Sequence, residues 1–161
     1  MIVIVDLIKM LKMEISLIHD QTNGLSHADT LIQPRPGGNC MNWVLGHLLE
    51  NQISMLKAIG GDSPIDPESV ARYQRESAPI SSDGEGVLLL EELLDGLDKV
   101  HSAIATRLSE MSEEDFDLEI QYGERKAIRG WRVFFLHFHY TYHIGQLEQL
   151  RQLAGKTEKV I

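Results

Sequence analysis

Apolar residues recur along this chain with the period of an α-helix. Val3, Leu7, Met10, Leu11, Ile15 and Ile18 step by three and four, which predicts an amphipathic helix over 3–23 with Gly24 as its stop. Ser26-His27-Ala28-Asp29 has the Ser-x-x-Asp form of a short helical start. Gln33 to Gly38 holds two prolines and two glycines and reads as loop. Asn39 is placed to cap a second helix over 40–59, ended by Gly60-Gly61. Leu90, Leu93, Leu94, Leu97, Val100, Ile104 and Leu108 form the stripe of a third helix over 86–111. Ser112-Glu113-Glu114-Asp115 repeats the earlier start signal, and residues 118–128 read as turn or short extended structure. A fourth helix is expected over 129–154, closed by Gly155.

The two halves share a plan: long helix, Ser-x-x-Asp turn, loop, then a helix with a tryptophan followed by a histidine, Trp43 to His47 and Trp131 to His139. The expectation is two helical hairpins packed as an all-α four-helix bundle in a single domain, 1–161. The connection over 60–85 is long, holds three prolines and has room for one helical turn near Pro67 to Gln74, so a crossover topology is open. Trp43 and Trp131 are expected to anchor their helices in the core.

Composition narrows the partners. Lys plus Arg is 15 against 24 Asp plus Glu, a formal charge of −9, which lacks the basic footprint of nucleic-acid binding and suits an anionic membrane surface poorly. Nowhere do 18 apolar residues run together, as a transmembrane helix requires. Met1 to Val5 is apolar, but Asp6 interrupts it and no basic residue precedes it, so no export signal is read and the cytoplasm is the expected location. The lone Cys40 excludes an intramolecular disulfide and a multi-cysteine zinc cage, and seven histidines turn any metal chemistry towards imidazole. Cys40 stands near a helix N-terminus, where a thiol is activated, yet lies about 10 Å of helix rise from His47; a buried, inert cysteine is the expectation.

The fourth helix carries the chemistry. His139 and His143 are one turn apart on one face, shared with Leu136, Leu147 and Leu150, so the pair should point into the bundle. His137 is turned about 200° from His139 and cannot easily join it. A third ligand must come from a facing helix, where His47 is the candidate. Three neutral imidazoles leave an open coordination position, as catalytic sites do. The alternative is that the histidines are polar core residues. Gln146, one turn after His143, is a candidate to orient water or substrate, and Glu50, one turn after His47, a candidate outer partner or general base; both also fit ordinary helix-surface roles. Tyr140 and Tyr142 read as packing residues, Gly145 as a site of close helix approach, and His19, His27 and His101 as surface or packing residues. Arg35, Arg129 and Arg132 are candidates for binding an anionic substrate, with nothing in the sequence to choose among them.

The segments Asn42-Trp43-x3-His47-Leu48 and His139-x3-His143-x-Gly145-Gln146-x4-Leu150-Arg151 resemble the DinB/YfiT-like superfamily, a damage-inducible family distinct from the DNA polymerase that shares the name. The resemblance extends over essentially the whole chain through helix order and lengths, and its specific part is the His-x3-His-x-Gly-Gln signature. It implies a four-helix bundle with His47, His139 and His143 as metal ligands. It also implies a divalent ion, zinc or nickel foremost with iron or manganese as alternatives, and a homodimer. Members that the chain resembles include transferases and isomerases that use a low-molecular-weight thiol; with the metal site, the expected activity on a small-molecule substrate is Lewis-acid activation of water, as in a hydrolase, or of a thiol, as in a transferase. The alternative is a metal- or ligand-binding bundle without turnover. Ile2, Val3, Ile4 and Val5, apolar on more than one side of the first helix, are the expected part of a dimer interface.

Overall fold

The computed structural model describes residues 4–160. Its helices are α1 (Ile4–Thr22), α2 (His27–Thr30), α3 (Met41–Ala58), α4 (Leu90–Ser109) and α5 (Arg129–Leu153), and a short antiparallel pair, β1 (Glu119–Tyr122) and β2 (Arg125–Ile128), precedes α5. The four long helices form the expected bundle. The start signals act as read: the Asp29 carboxylate accepts from the Ser26 N–H at 2.8 Å, and Asp115 accepts from the Ser112 N–H at 2.8 Å. The turn foreseen near Pro67 is a 3-10 helix, Pro67–Tyr73, with the Asp66 side chain accepting from the Glu68 N–H.

Several expectations change. The second long helix starts after Cys40, not Asn39, and has no side-chain cap. The third starts at Leu90 rather than Gly86, because Gly86 has a left-handed φ of 73° and the Glu92 carboxylate accepts the Leu89 N–H at 2.7 Å. Residues 118–128 are a two-stranded hairpin turning at Gly123, whose φ is 59°. The helices are also not two hairpins. α1 packs on α4 and α5, and α3 packs on α4 and α5, so consecutive long helices α1 and α3 stand across the diagonal. The long connection between α3 and α4 packs back on α3 and returns Tyr73 and Ile80 to the core, both fully buried.

α3 is the central element. Leu45, Leu48, Leu49, Met55 and Leu56 are almost entirely buried, and they meet Leu93, Leu97, Val100 and Ile104 of α4 with Leu136, Tyr140 and Leu147 of α5 in one core. Burial of that apolar surface is the main favourable contribution to folding. Cys40 is fully buried with its thiol towards the Ile80 carbonyl, as expected of an inert cysteine. Trp43 is buried, but Trp131 is 64% exposed and anchors nothing in the core. Gly145 faces open space, with no neighbour near a built Cβ, so it serves no close helix contact within the chain. On α1, Val5 is exposed and Ile4 half-buried, while Ile2 and Val3 lie outside the described residues.

Candidate metal centre

α3 and α5 run side by side and bring His47 to His139 and His143. Their candidate ligand nitrogens all lie within 4.8 Å of one another. The Nε2 atoms of His47 and His139 are 3.0 Å apart. A tetrahedral ion with bonds of about 2.0–2.1 Å holds its nitrogens roughly 3.3 Å apart, so the cluster needs only small side-chain rotations to grip one.

Two of the three rings are held from behind. The Tyr73 carbonyl can only accept, so His47 Nδ1–H donates to it at 2.9 Å and leaves Nε2 with its lone pair towards the cluster. His143 Nδ1 stands 2.8 Å from Gln146 Oε1 and donates to it, which frees the other nitrogen in the same way. Trp43 stacks on the His47 ring with centroids 4.8 Å apart. Burial, reinforced by the neighbouring His143 and His47 and then by Arg75 and Arg132, lowers His139 to about 4. Burial also lowers His143, with Gln146 opposing and His47 adding to the shift. Imidazoles held neutral in this way are ready to ligate at neutral pH.

His47 is buried, whereas His139 and His143 are only half-buried. The pair therefore does not point into a closed core. It faces a cleft of about 550 Å³ lined also by Arg35, Asn39, Trp43, Arg75, Gln146 and Gln149. The pair sits at the edge of the buried stripe: Leu136 and Leu147 flank it towards the core, while the other side of α5 is solvent-facing.

The remaining candidates separate. Glu50 Oε2 lies 3.9 Å from His47 Nδ1, the nitrogen turned away from the cluster, and Ser54 donates to its other oxygen at 3.1 Å. Arg35 lines the cleft, but Arg129 and Arg132 line a different hollow beside the hairpin, where Arg132 covers the Tyr122 ring at 4.5 Å. His137 turns to the opposite side, with Nε2 3.6 Å from Glu14 of α1. His19 reaches Asp98 of α4 at 2.8 Å, and His27 Nε2 lies 3.6 Å from Asp83. Tyr140 is buried with its hydroxyl bound by Gln52 at 2.6 Å, and Tyr142 is exposed. Sequence reasoning missed Tyr73 and Arg75. The first acts through a main-chain carbonyl, which leaves no residue signature, and the second reaches the site from the α3–α4 connection.

A family model for the DinB superfamily matches residues 11–147. The chain belongs to the DinB superfamily. Its fold is similar to that of a solved structure described as a conserved protein of Enterococcus faecalis. The TM-score is 0.73 and the identity 16%, over 96% of this chain and 98% of that one. No curated protein matches the sequence. The three-histidine cluster thus lies in a DinB bundle, with His47, His139 and His143 all inside the matched span. Among the described residues no helix is long and apolar enough to cross a membrane.

Proposed function

We propose that this DinB-superfamily chain is a cytoplasmic, metal-dependent thiol transferase, with a divalent ion, zinc or nickel foremost, held by His47, His139 and His143. The carrying observation is a three-imidazole cluster on an open cleft whose lining, among the described residues, holds no aspartate or glutamate. When bound, the ion supplies a Lewis acid that polarises a sulfur or oxygen donor and lowers its pKa. Glu50, whose carboxylate lies 3.9 Å from His47 Nδ1, stands behind that ring and away from the open face. An ion acidifies bound water and bound thiol alike, but thiolate is the softer ligand for zinc, which favours transfer over hydrolysis. Tyr73 and Gln146 act as positioning residues, fixing the rings of His47 and His143 through their Nδ1 protons. Trp43 covers one face of His47 and limits water on that side.

Elemental analysis of untagged protein should find about one equivalent of divalent metal in the parent and none in the His139→Ala, His143→Ala variant. Gln146→Ala should retain all three ligands but bind the ion about 10–100-fold more weakly, the usual cost of losing an outer hydrogen bond to a ligand. The metal-loaded parent should conjugate a small thiol to an electrophile, and the histidine variant should not. Metal uptake with no turnover over a panel of thiols and electrophiles would instead make this a metal-binding protein. A parent that takes up neither zinc nor nickel ends the metalloenzyme reading.

The same reading includes a homodimer, through a surface other than the first helix's start. Trp131, Phe134, Phe135, Phe138 and Tyr142 follow one another at helical spacing on α5 and are 45–64% exposed. At about 150–250 Å² per aromatic ring, that exposure offers roughly 400–700 Å² per protomer, close to the ~800 Å² per partner of a standard interface. A second copy is the natural occupant, because a two-fold pairing sets this stripe against itself. Light scattering should give twice the 18.2 kDa chain mass, and Phe138→Lys should give a monomer. A parent that is monomeric at micromolar concentration removes the dimer.

A further inference from the structure

The cleft in front of the three histidines has a charged wall as well as a metal-binding floor. Arg35 comes from the loop before α3, and Arg75 from the segment just after the Pro67–Tyr73 turn. The two segments are 40 residues apart in sequence, yet both line the same hollow as His47, His139 and His143. Asn39, Gln146 and Gln149 add amide groups, and among the described residues no carboxylate lines the cleft.

This is unusual charge placement for a chain with 24 acidic and 15 basic residues. Most other basic side chains with a described contact are matched. Lys9 pairs with Asp6, Lys99 with Asp95, Lys126 with Glu119 and Arg107 with Glu110. Arg35 has no ion pair among the described residues, and Arg75 reaches only its sequence neighbour Glu76 at 3.6 Å, with both side chains more than four-fifths exposed. Glu76 is not part of the cleft lining. A guanidinium presents a planar fork of donors suited to a carboxylate or phosphate. Two such forks beside the three-histidine cluster, with no acid among the described residues of the cleft lining to satisfy them there, form an anion-recognition wall.

We propose that the cleft selects a small substrate or thiol co-substrate carrying a carboxylate or phosphate group, with Arg35 and Arg75 binding that group while the donor atom at its other end faces the three histidines. The proposal rests on the metal-centre reading for the donor end and on the two arginines for the anionic end. The cleft volume of about 550 Å³ falls within the range that accommodates small-molecule ligands. The arginines therefore determine specificity and leave bond making to the histidine cluster.

The test compares two thiols of similar size, the dianionic mercaptosuccinate and the neutral thioglycerol. Each is titrated calorimetrically into zinc-loaded protein, with Arg35→Gln/Arg75→Gln and a control, Arg125→Gln, measured alongside. Arg125 lies on the exposed β2 strand and lines the other hollow. The parent and the control should bind mercaptosuccinate at least about tenfold more tightly than thioglycerol, as expected of charge-assisted hydrogen bonds at a partly solvated site. The preference should shrink as salt is raised. In the double variant it should fall to within about twofold, with zinc content and thioglycerol affinity unchanged. No preference in the zinc-loaded parent, or a preference that survives loss of both arginines, overturns the proposal. Failure of the metal reading has a different signature, since the parent would then take up no zinc. In that case the same pair titrated into metal-free protein decides the arginines alone: an arginine-dependent preference upholds the anion wall, and its absence ends it.

Discussion

Glu14→Gln should make the protein more stable at pH 8 by about 3 kcal/mol relative to its effect at pH 4.5. Glu14 of α1 is buried against α5, where Thr141 Oγ1 approaches its Oε1 at 2.5 Å and its Oε2 has no hydrogen-bond partner among the described residues. Burial, opposed by the Thr141 hydrogen bond, raises its pKa from 4.5 to about 7. The geometry suits the protonated acid. The Glu14 hydroxyl can donate to Thr141 Oγ1, and the Thr141 hydroxyl can then donate to the His137 carbonyl at 2.9 Å. The nearest potential cation, His137 Nε2 at 3.6 Å, is itself held below its ordinary value by burial, so it is neutral where Glu14 ionises. Tyr140, also packed there, is pushed well above its usual value and stays uncharged.

The direction with pH follows from these values. Below pH 4.5 both the folded and the unfolded chain carry the proton, and burial of Glu14 exacts no ionisation cost. Between 4.5 and about 7 the unfolded chain releases its proton while the fold retains it, so stability falls by about 1.4 kcal/mol per pH unit. Above about 7 both states are ionised and the loss is complete. Glutamine fills the same space, donates its amide to Thr141 and does not titrate. Urea unfolding of both proteins at pH 4.5 and pH 8 reads the difference directly. A Glu14→Gln effect that is equal at the two pH values would show that Glu14 ionises normally in the fold.

Glu14 also marks a limit of what the sequence made legible. The heptad-like stripe of the first helix located its buried face, and Glu14 stands inside that stripe beside Leu11, Ile15 and Ile18. An acidic residue there looks like an interruption until Thr141 and His137 arrive from a helix more than 120 residues later. Local signals worked where the physics is local. The Ser26 and Ser112 starts, the Gly24 stop and the long helices' existence all depend on neighbours within a few positions. The His139–His143 spacing is likewise local, and His47 was reached by asking which facing helix offered a third imidazole. Pairing of non-neighbouring helices is different. Nothing in the sequence of α1 and α3 said that they would stand diagonally rather than side by side. Trp131 was misplaced for a related reason, because a large apolar residue reads as core unless the direction of its helix face is known. The Tyr73 carbonyl that orients His47 and the Arg75 charge at the cleft both come from the connection over 60–85, where irregular backbone carries no period to read.

That connection is tied to the metal centre through one glycine, and Gly46→Ala should cost about 3–5 kcal/mol of stability while also weakening metal binding. A Cβ built at Gly46 falls 2.1 Å from Tyr73 Cδ1 and 2.3 Å from its Cγ, far inside any tolerable contact. The Tyr73 ring cannot simply withdraw. It is fully buried, its hydroxyl donates to Asn42 Oδ1 at 3.0 Å, and that hydroxyl accepts the Leu88 N–H at 2.7 Å. Making room for one methyl group thus means overpacking the core, at about 1–3 kcal/mol, and straining or breaking two buried hydrogen bonds at about 1 kcal/mol each. Against a total stability of about 5–15 kcal/mol, that is a severe loss for replacing one hydrogen by a methyl group. The same displacement moves the Tyr73 carbonyl, which accepts the His47 Nδ1 proton at 2.9 Å. His47 then loses the restraint that turns Nε2 towards His139, so the affinity for zinc should drop together with the unfolding midpoint. Gly145→Ala provides the contrast. It lies in open space on an exposed part of α5, where exchanging glycine for alanine should raise helix stability by up to about 1 kcal/mol and leave zinc affinity unchanged. Urea unfolding and a zinc competition titration on the two variants separate the cases, and a Gly46→Ala protein as stable as its parent would mean that Tyr73 is not the fixed wall behind His47.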